Sequence, residues 1–231
     1  MDVTAREIEL VLHPGIRLGA TLAIPDPPQG IVLFAHGSGS SRFSRRNRSV
    51  AEVLQGIGLA TLLMDLLTPG EEEAERFTRH LRFDIEFLAD RVAAAMQWLS
   101  RQGETKDLAL GLFGASTGAA AALVAAARDP DRIAAVVSRG GRPDLAAEAL
   151  PDVRAPTLLI VGGADEVVLD LNRDALATLR CEKRLEIVPG ATHLFEEPGA
   201  LEQAAELAAR WFEQRLRAAP PRRWSEEPAR S

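Results

Sequence analysis

Three segments follow one another without a spacer near the middle of the chain. They are the apolar run Leu108-Ala109-Leu110-Gly111-Leu112-Phe113, the turn Gly114-Ala115-Ser116-Thr117-Gly118, and an alanine-rich stretch from Ala119 to Ala127. The first reads as a buried strand and the last as a helix, so five residues must reverse the chain from one to the other. Only a sharp turn with small residues two places on either side of Ser116 allows strand and helix to approach so closely. Such a turn forces Ser116 into a strained backbone conformation and lifts its hydroxyl clear of the sheet. It also sets Ser116 at a helix N-terminus, where free N–H groups and the dipole favour negative charge.

The rest of the chain repeats the alternation. Glu7 to Leu12 and Arg17 to Ile24 read as strands joined at His13-Pro14-Gly15, and Ile31 to Ala35 as a strand covered on both faces. A helix is expected over Ser44 to Gly56, a strand over Leu59 to Leu67, and a longer helix over Phe83 to Leu99. The charged segment from Glu71 to Arg82 is too polar for core. In the second half, strands are expected at Ile133 to Val137, Thr157 to Val161 and Arg184 to Val188. Helices are expected at Pro143 to Leu150, Asn172 to Leu179 and Pro198 to Leu216. Alternation of this kind implies an α/β fold: a mostly parallel sheet with helices on both faces. At 231 residues the chain suits one domain, 1–217, with 218–231 as a disordered tail around Pro220-Pro221-Arg222-Arg223.

Composition narrows the function classes. A net charge of −6, with arginines mixed among acids, does not favour nucleic-acid binding. A single cysteine, Cys181, excludes an intrachain disulfide. The first residues lack the basic and apolar regions of a signal peptide, and no apolar stretch is long enough to span a bilayer, so a cytoplasmic location is expected.

A serine hydroxyl needs a base, and the base needs a group that fixes its tautomer. In an open α/β sheet these groups are expected just past the C-terminal ends of strands. Asp165 lies there, in Val161-Gly162-Gly163-Ala164-Asp165, and so does His193, in Val188-Pro189-Gly190-Ala191-Thr192-His193. Rivals exist for both roles. Only four histidines occur, and His13 falls in an early hairpin turn, His36 near the site and His80 in the charged segment. Asp65 ends a strand, and Asp170 reads as a cap for the following helix.

With His36-Gly37-Ser38-Gly39 after the third strand, the Ser116 turn, Gly163-Ala164-Asp165 and Gly190-Ala191-Thr192-His193, the chain resembles the α/β-hydrolase superfamily, within it the small, uncapped dienelactone-hydrolase-like branch. The order Ser, Asp, His along the chain is that of α/β-hydrolases. The resemblance implies a sheet of about eight strands and action on ester-like bonds without a metal or organic cofactor. It implies an oxyanion hole made by the N–H groups of Ser38 and Thr117, and a bracing role for His36. Dienelactone hydrolases proper use a cysteine nucleophile where this chain has Ser116, so dienelactone is not transferred as substrate.

The expected activity is hydrolysis of small or medium soluble carboxylic esters, since too few residues separate the strands at Ile133 and Thr157 to hold a cap domain. An acyltransferase or peptidase would use the same triad, and a non-catalytic α/β binding module is the alternative from another class. Arg42, Arg45, Arg46 and Arg48, with Arg76, Arg79 and Arg82, either attract an anionic ester or form a solvated face paired with Glu71 to Glu75. The sequence leaves the oligomeric state open.

Overall fold

In the computed structural model, which describes residues 2–13, 15–78 and 80–217, eight strands join into one sheet. They are β1 (Val3–His13), β2 (Ile16–Pro25), β3 (Ile31–Ala35), β4 (Ala60–Met64), β5 (Leu110–Ala115), β6 (Ile133–Arg139), β7 (Thr157–Gly162) and β8 (Lys183–Val188). Their spatial order is β1-β2-β4-β3-β5-β6-β7-β8. β1 pairs antiparallel with β2, and β2 with β4; every later pairing is parallel. This is the mostly parallel α/β sheet that the alternation of elements anticipates, with the eight strands that the resemblance implies.

Six α-helices are described: α1 (Arg45–Gly56), α2 (Pro69–Thr78), α3 (Ile85–Leu99), α4 (Thr117–Arg128), α5 (Glu166–Thr178) and α6 (Ala200–Leu216). The period-two geometry of the strands splits the core into two layers. Ile31, Leu33 and Leu112 face a layer filled by α3 and α4 residues such as Leu88, Val92 and Leu123. Val32, Phe34 and Phe113 face the other, filled from α1 and α6 by Val50, Leu54 and Phe212. Each large side chain buried this way contributes about 1.5–3 kcal/mol of transfer free energy. Because β3, β5 and β6 are covered on both faces, their residues are buried without alternation. Among the described residues no helix is long and apolar enough to cross a membrane.

Several boundaries differ from the sequence expectation. The fourth strand ends at Met64, so Asp65 lies just beyond it. The charged segment forms α2, and although most of it is solvated, Glu75 is buried. Pro143 to Leu150 forms no α-helix; two short 3-10 turns, Pro143–Ala146 and Leu150–Asp152, stand in its place. Pro151 in the second turn donates no hydrogen bond, and the spacing leaves no room for an i to i−4 ladder. α5 begins at Glu166, so Asp170 is inside the helix, paired with Arg173, and is not its cap. The segment 218–231, expected to be a tail, lies outside the described residues.

Candidate active site

β5 stops at Ala115 and α4 starts at Thr117, leaving Ser116 alone at the turn. Its φ of 52° and ψ of −123° lie in a region that L-residues rarely adopt. Neighbouring backbone holds this strain in place: the Ser116 carbonyl accepts from the N–H groups of Ala119 and Arg142, both at 3.1 Å. The flanking glycines are required by contact. A Cβ on Gly114 would overlap Ala119 Cα, and one on Gly118 would overlap the carbonyl oxygens of Ala35 and His36.

Two further loops leave the same sheet edge. Asp165 follows β7, and His193 follows β8. Backbone bonds tie these loops together: Ala164 N–H donates to the Ala191 carbonyl at 2.9 Å, and Gly163 N–H to the Val188 carbonyl at 2.8 Å. His193 Nδ1 meets Asp165 Oδ2 at 2.7 Å. An ionised carboxylate only accepts, so Nδ1 carries the proton and Nε2 keeps its lone pair. Glu197 steadies the histidine loop by accepting from Thr192 N–H and from the Thr192 hydroxyl at 2.6 Å. Of the rival acids, Asp65 is taken by Arg42, whose backbone N–H and guanidinium both donate to it.

His36 bridges two loops. Its Nε2 accepts from Leu66 N–H at 3.2 Å, and its Nδ1 donates to the Gly37 carbonyl at 2.9 Å. Burial lowers its pKa, which keeps the ring neutral in this bracing position. Ser38 departs from expectation in one respect: its N–H is not free but donates to Thr117 Oγ1 at 2.9 Å. In the unliganded loop the Thr117 hydroxyl supplies the acceptor that this backbone donor needs.

Ser116 and His193 line one open pocket of about 270 Å³ together with Gly37, Ser38, Arg46 and Arg139. Arg139 was missed in the sequence. The readable signal was a cation at the end of the otherwise apolar strand run before Gly140-Gly141. Three of the seven arginines suspected from sequence are paired elsewhere: Arg42 with Asp65 and Glu7, Arg82 with Glu72 and Glu75, and Arg76 with Glu73. Arg79 lies outside the described residues. Among the described residues no group of three or more His, Cys, Asp or Glu is placed to hold a metal ion.

The model of the dienelactone hydrolase family matches residues 18–217. A Mycobacterium tuberculosis (strain H37Rv) protein named "Putative phosphoribosyl transferase" is 58% identical over 206 residues, covering 89% of this chain and 45% of that protein. The chain thus spans less than half the length of this relative. The crystal structure of dienelactone hydrolase from Anabaena variabilis superposes with a TM-score of 0.91 at 58% identity, covering 93% of this chain and 99% of that one. Est1E from Butyrivibrio proteoclasticus shares the fold at 18% identity, with a TM-score of 0.76 over 90% of this chain and 98% of that one.

Proposed function

For a chain that belongs to the dienelactone hydrolase family and is an enzyme of α/β-hydrolase type, we propose hydrolysis of small or medium soluble carboxylic esters through an acyl-enzyme on Ser116. The observation that carries this reading is the 2.7 Å contact of His193 with Asp165 beside a pocket that both His193 and Ser116 line. His193 Nε2 takes the Ser116 proton as the hydroxyl attacks the ester carbonyl, and then returns it to the leaving alcohol. Asp165 holds the imidazole in the tautomer that leaves Nε2 free and balances the imidazolium that forms.

The tetrahedral oxyanion is stabilised by the Thr117 N–H at the start of α4 and by the Ser38 N–H. For Ser38 this means exchanging the Thr117 hydroxyl for the substrate oxygen as acceptor, so the unliganded loop leaves no donor unsatisfied. Water activated by His193 then releases the acid. Among the described residues no cap domain covers the open pocket, which supports short, soluble acyl groups over emulsified lipid. The phosphoribosyl-transfer name belongs to a relative about twice this chain's length, of which the chain covers 45%.

A panel of p-nitrophenyl and naphthyl esters graded by chain length, run on the native protein and on Ser116→Ala, tests the reading. Ser116→Ala is expected to remove nearly all turnover and fluorophosphonate labelling while changing stability by less than about 1 kcal/mol. Undiminished turnover in Ser116→Ala would overturn it, as would a strong preference for long acyl chains.

A further inference from the structure

Among the described residues no carboxylate lines the pocket that holds Ser116, but two arginines do. Arg139 ends β6 with only 6% of its surface exposed. Its guanidinium lies 5.7 Å from the Phe113 ring centre and 5.9 Å from that of Phe195. Nη2 donates to a neutral partner, Asn47 Oδ1, at 3.2 Å. Nη1 is buried and has no hydrogen-bond partner among the described residues. A buried cation is normally paired with an acid, because burial removes its hydration and only a counter-charge restores the loss. Aromatic faces compensate in part. Burial, and then the like charge of Arg46, lower the Arg139 pKa to about 10, which leaves it charged at neutral pH.

The surroundings carry the same sign. Arg46 holds only a loose contact with the exposed Glu196 at 3.4 Å. The N-terminal turn of α1 reaches the pocket through Ser44, Arg46 and Asn47, and that turn contains no acidic residue. Guanidinium groups and a helix N-terminus therefore converge on one wall where, among the described residues, the exposed Glu196 at Arg46 is the protein anion in contact.

We propose that this wall is an anion subsite, in which Arg139 with Arg46 and Asn47 binds a carboxylate or phosphate group of the ester presented to Ser116. Either oxyanion offers the two or more acceptors that a planar guanidinium fork engages. The subsite names the substrate class of the hydrolase reading and rests on it for the placement of the ester, but anion binding itself does not require Ser116. Arg139 here is a binding residue that sets specificity, not a participant in proton transfer.

Two measurements test it. First, Ser116→Ala protein is titrated with sodium phosphate and, separately, with sodium succinate at constant ionic strength, following Tm. A saturable rise is expected, absent in the Ser116→Ala/Arg139→Met double variant and weakened in Ser116→Ala/Arg46→Gln. A larger response to phosphate points to a phosphate-bearing ester, and a larger response to succinate to a carboxylate-bearing one. Second, the ratio of kcat/KM for p-nitrophenyl hydrogen succinate to that for p-nitrophenyl butyrate is measured. It is expected to fall about tenfold or more in Arg139→Met and less in Arg139→Lys, which keeps the charge but not the fork.

If Arg139→Met does not fold, the charge reversal Arg46→Glu must lower the same ratio. A flat anion titration, or an unchanged ratio in the variants that fold, overturns the subsite while leaving Ser116-dependent hydrolysis standing. Retained hydrolysis in Ser116→Ala would instead remove the acyl-enzyme reading, and the anion titration would still report on the subsite.

Discussion

Two arginine-bearing walls stand on either side of the loop that carries Ser38, and they have been resolved in opposite ways. On the α2 side the described arginines that turn inward meet carboxylates. Arg82 donates to Glu75 and Glu72, and Arg42 to Asp65 and Glu7. Glu75 is the centre of this wall: it accepts from the Thr78 hydroxyl, from the backbone N–H groups of His80, Leu81 and Arg82, and from Arg82 Nε. Burial by itself would raise its pKa, but the donors led by Leu81 N–H and the Thr78 hydroxyl outweigh burial and lower it to about 2. On the Ser116 side Arg139 is more deeply buried than either arginine, and its hydrogen-bond partner among the described residues is an amide, that of Asn47. A closed charge network fastens a loop to the body of the protein, whereas an open one keeps capacity for a ligand.

The largest contrast is expected from removing the acid at the centre of the closed wall. Glu75→Ala leaves several backbone donors and a guanidinium unanswered, and thermal melting should show Tm lower by at least about 5 °C. The same carboxylate sets a pH dependence. Its folded-state pKa of about 2 lies below an unfolded value of about 4.3, so its stabilisation is complete above the latter and is lost as pH falls toward the former. In Glu75→Gln the part of the acid limb due to this group should vanish in melts taken between those values. An unaltered acid limb would mean that the network contributes nothing.

Asp65→Asn is next in size. It removes the charge that holds Arg42, and urea unfolding should report a loss of about 1–2 kcal/mol. Arg139→Met sharpens the comparison by its opposite sign. Taking away a buried, unpaired charge should leave the unliganded protein about as stable or up to about 1 kcal/mol more stable. A large destabilisation there would show that the Phe113, Phe195 and Asn47 contacts alone hold the guanidinium for structural reasons. Arg76→Ala gives the smallest effect, within about 0.5 kcal/mol by the same measurement, because its pair with Glu73 is exposed on both sides.

Much of the site was legible residue by residue. Ser116 stood out because its turn separates a strand from a helix with glycines that the contact distances require. Asp165 and His193 stood out because each follows a strand after small residues. His36 was legible as a loop residue near the site, and both of its ring nitrogens hydrogen-bond to loop backbone, as a brace would. The less legible features depend on neighbours distant in sequence. Asp170 reads as a cap because the first turn of α5, Glu166-Val167-Val168-Leu169, reads poorly as helix and the helical spacing becomes clear only from Asn172. Glu75 looked solvated because nothing in its own helix reveals that the backbone at residues 80–82 folds back onto it. Ser38 looked free because the Thr117 hydroxyl that occupies it lies 79 positions away.

The sequence alone determined the class of elements and their order, because period-two and helical spacing, prolines and small turn residues act over a few neighbours. Tertiary structure decided which strands are adjacent, which of three aspartates meets the imidazole, and which arginines are left without an acid. The physical reason is range. Backbone propensity is set locally, whereas the energy of a charge depends on which groups the packed sheet brings within a few ångströms of it.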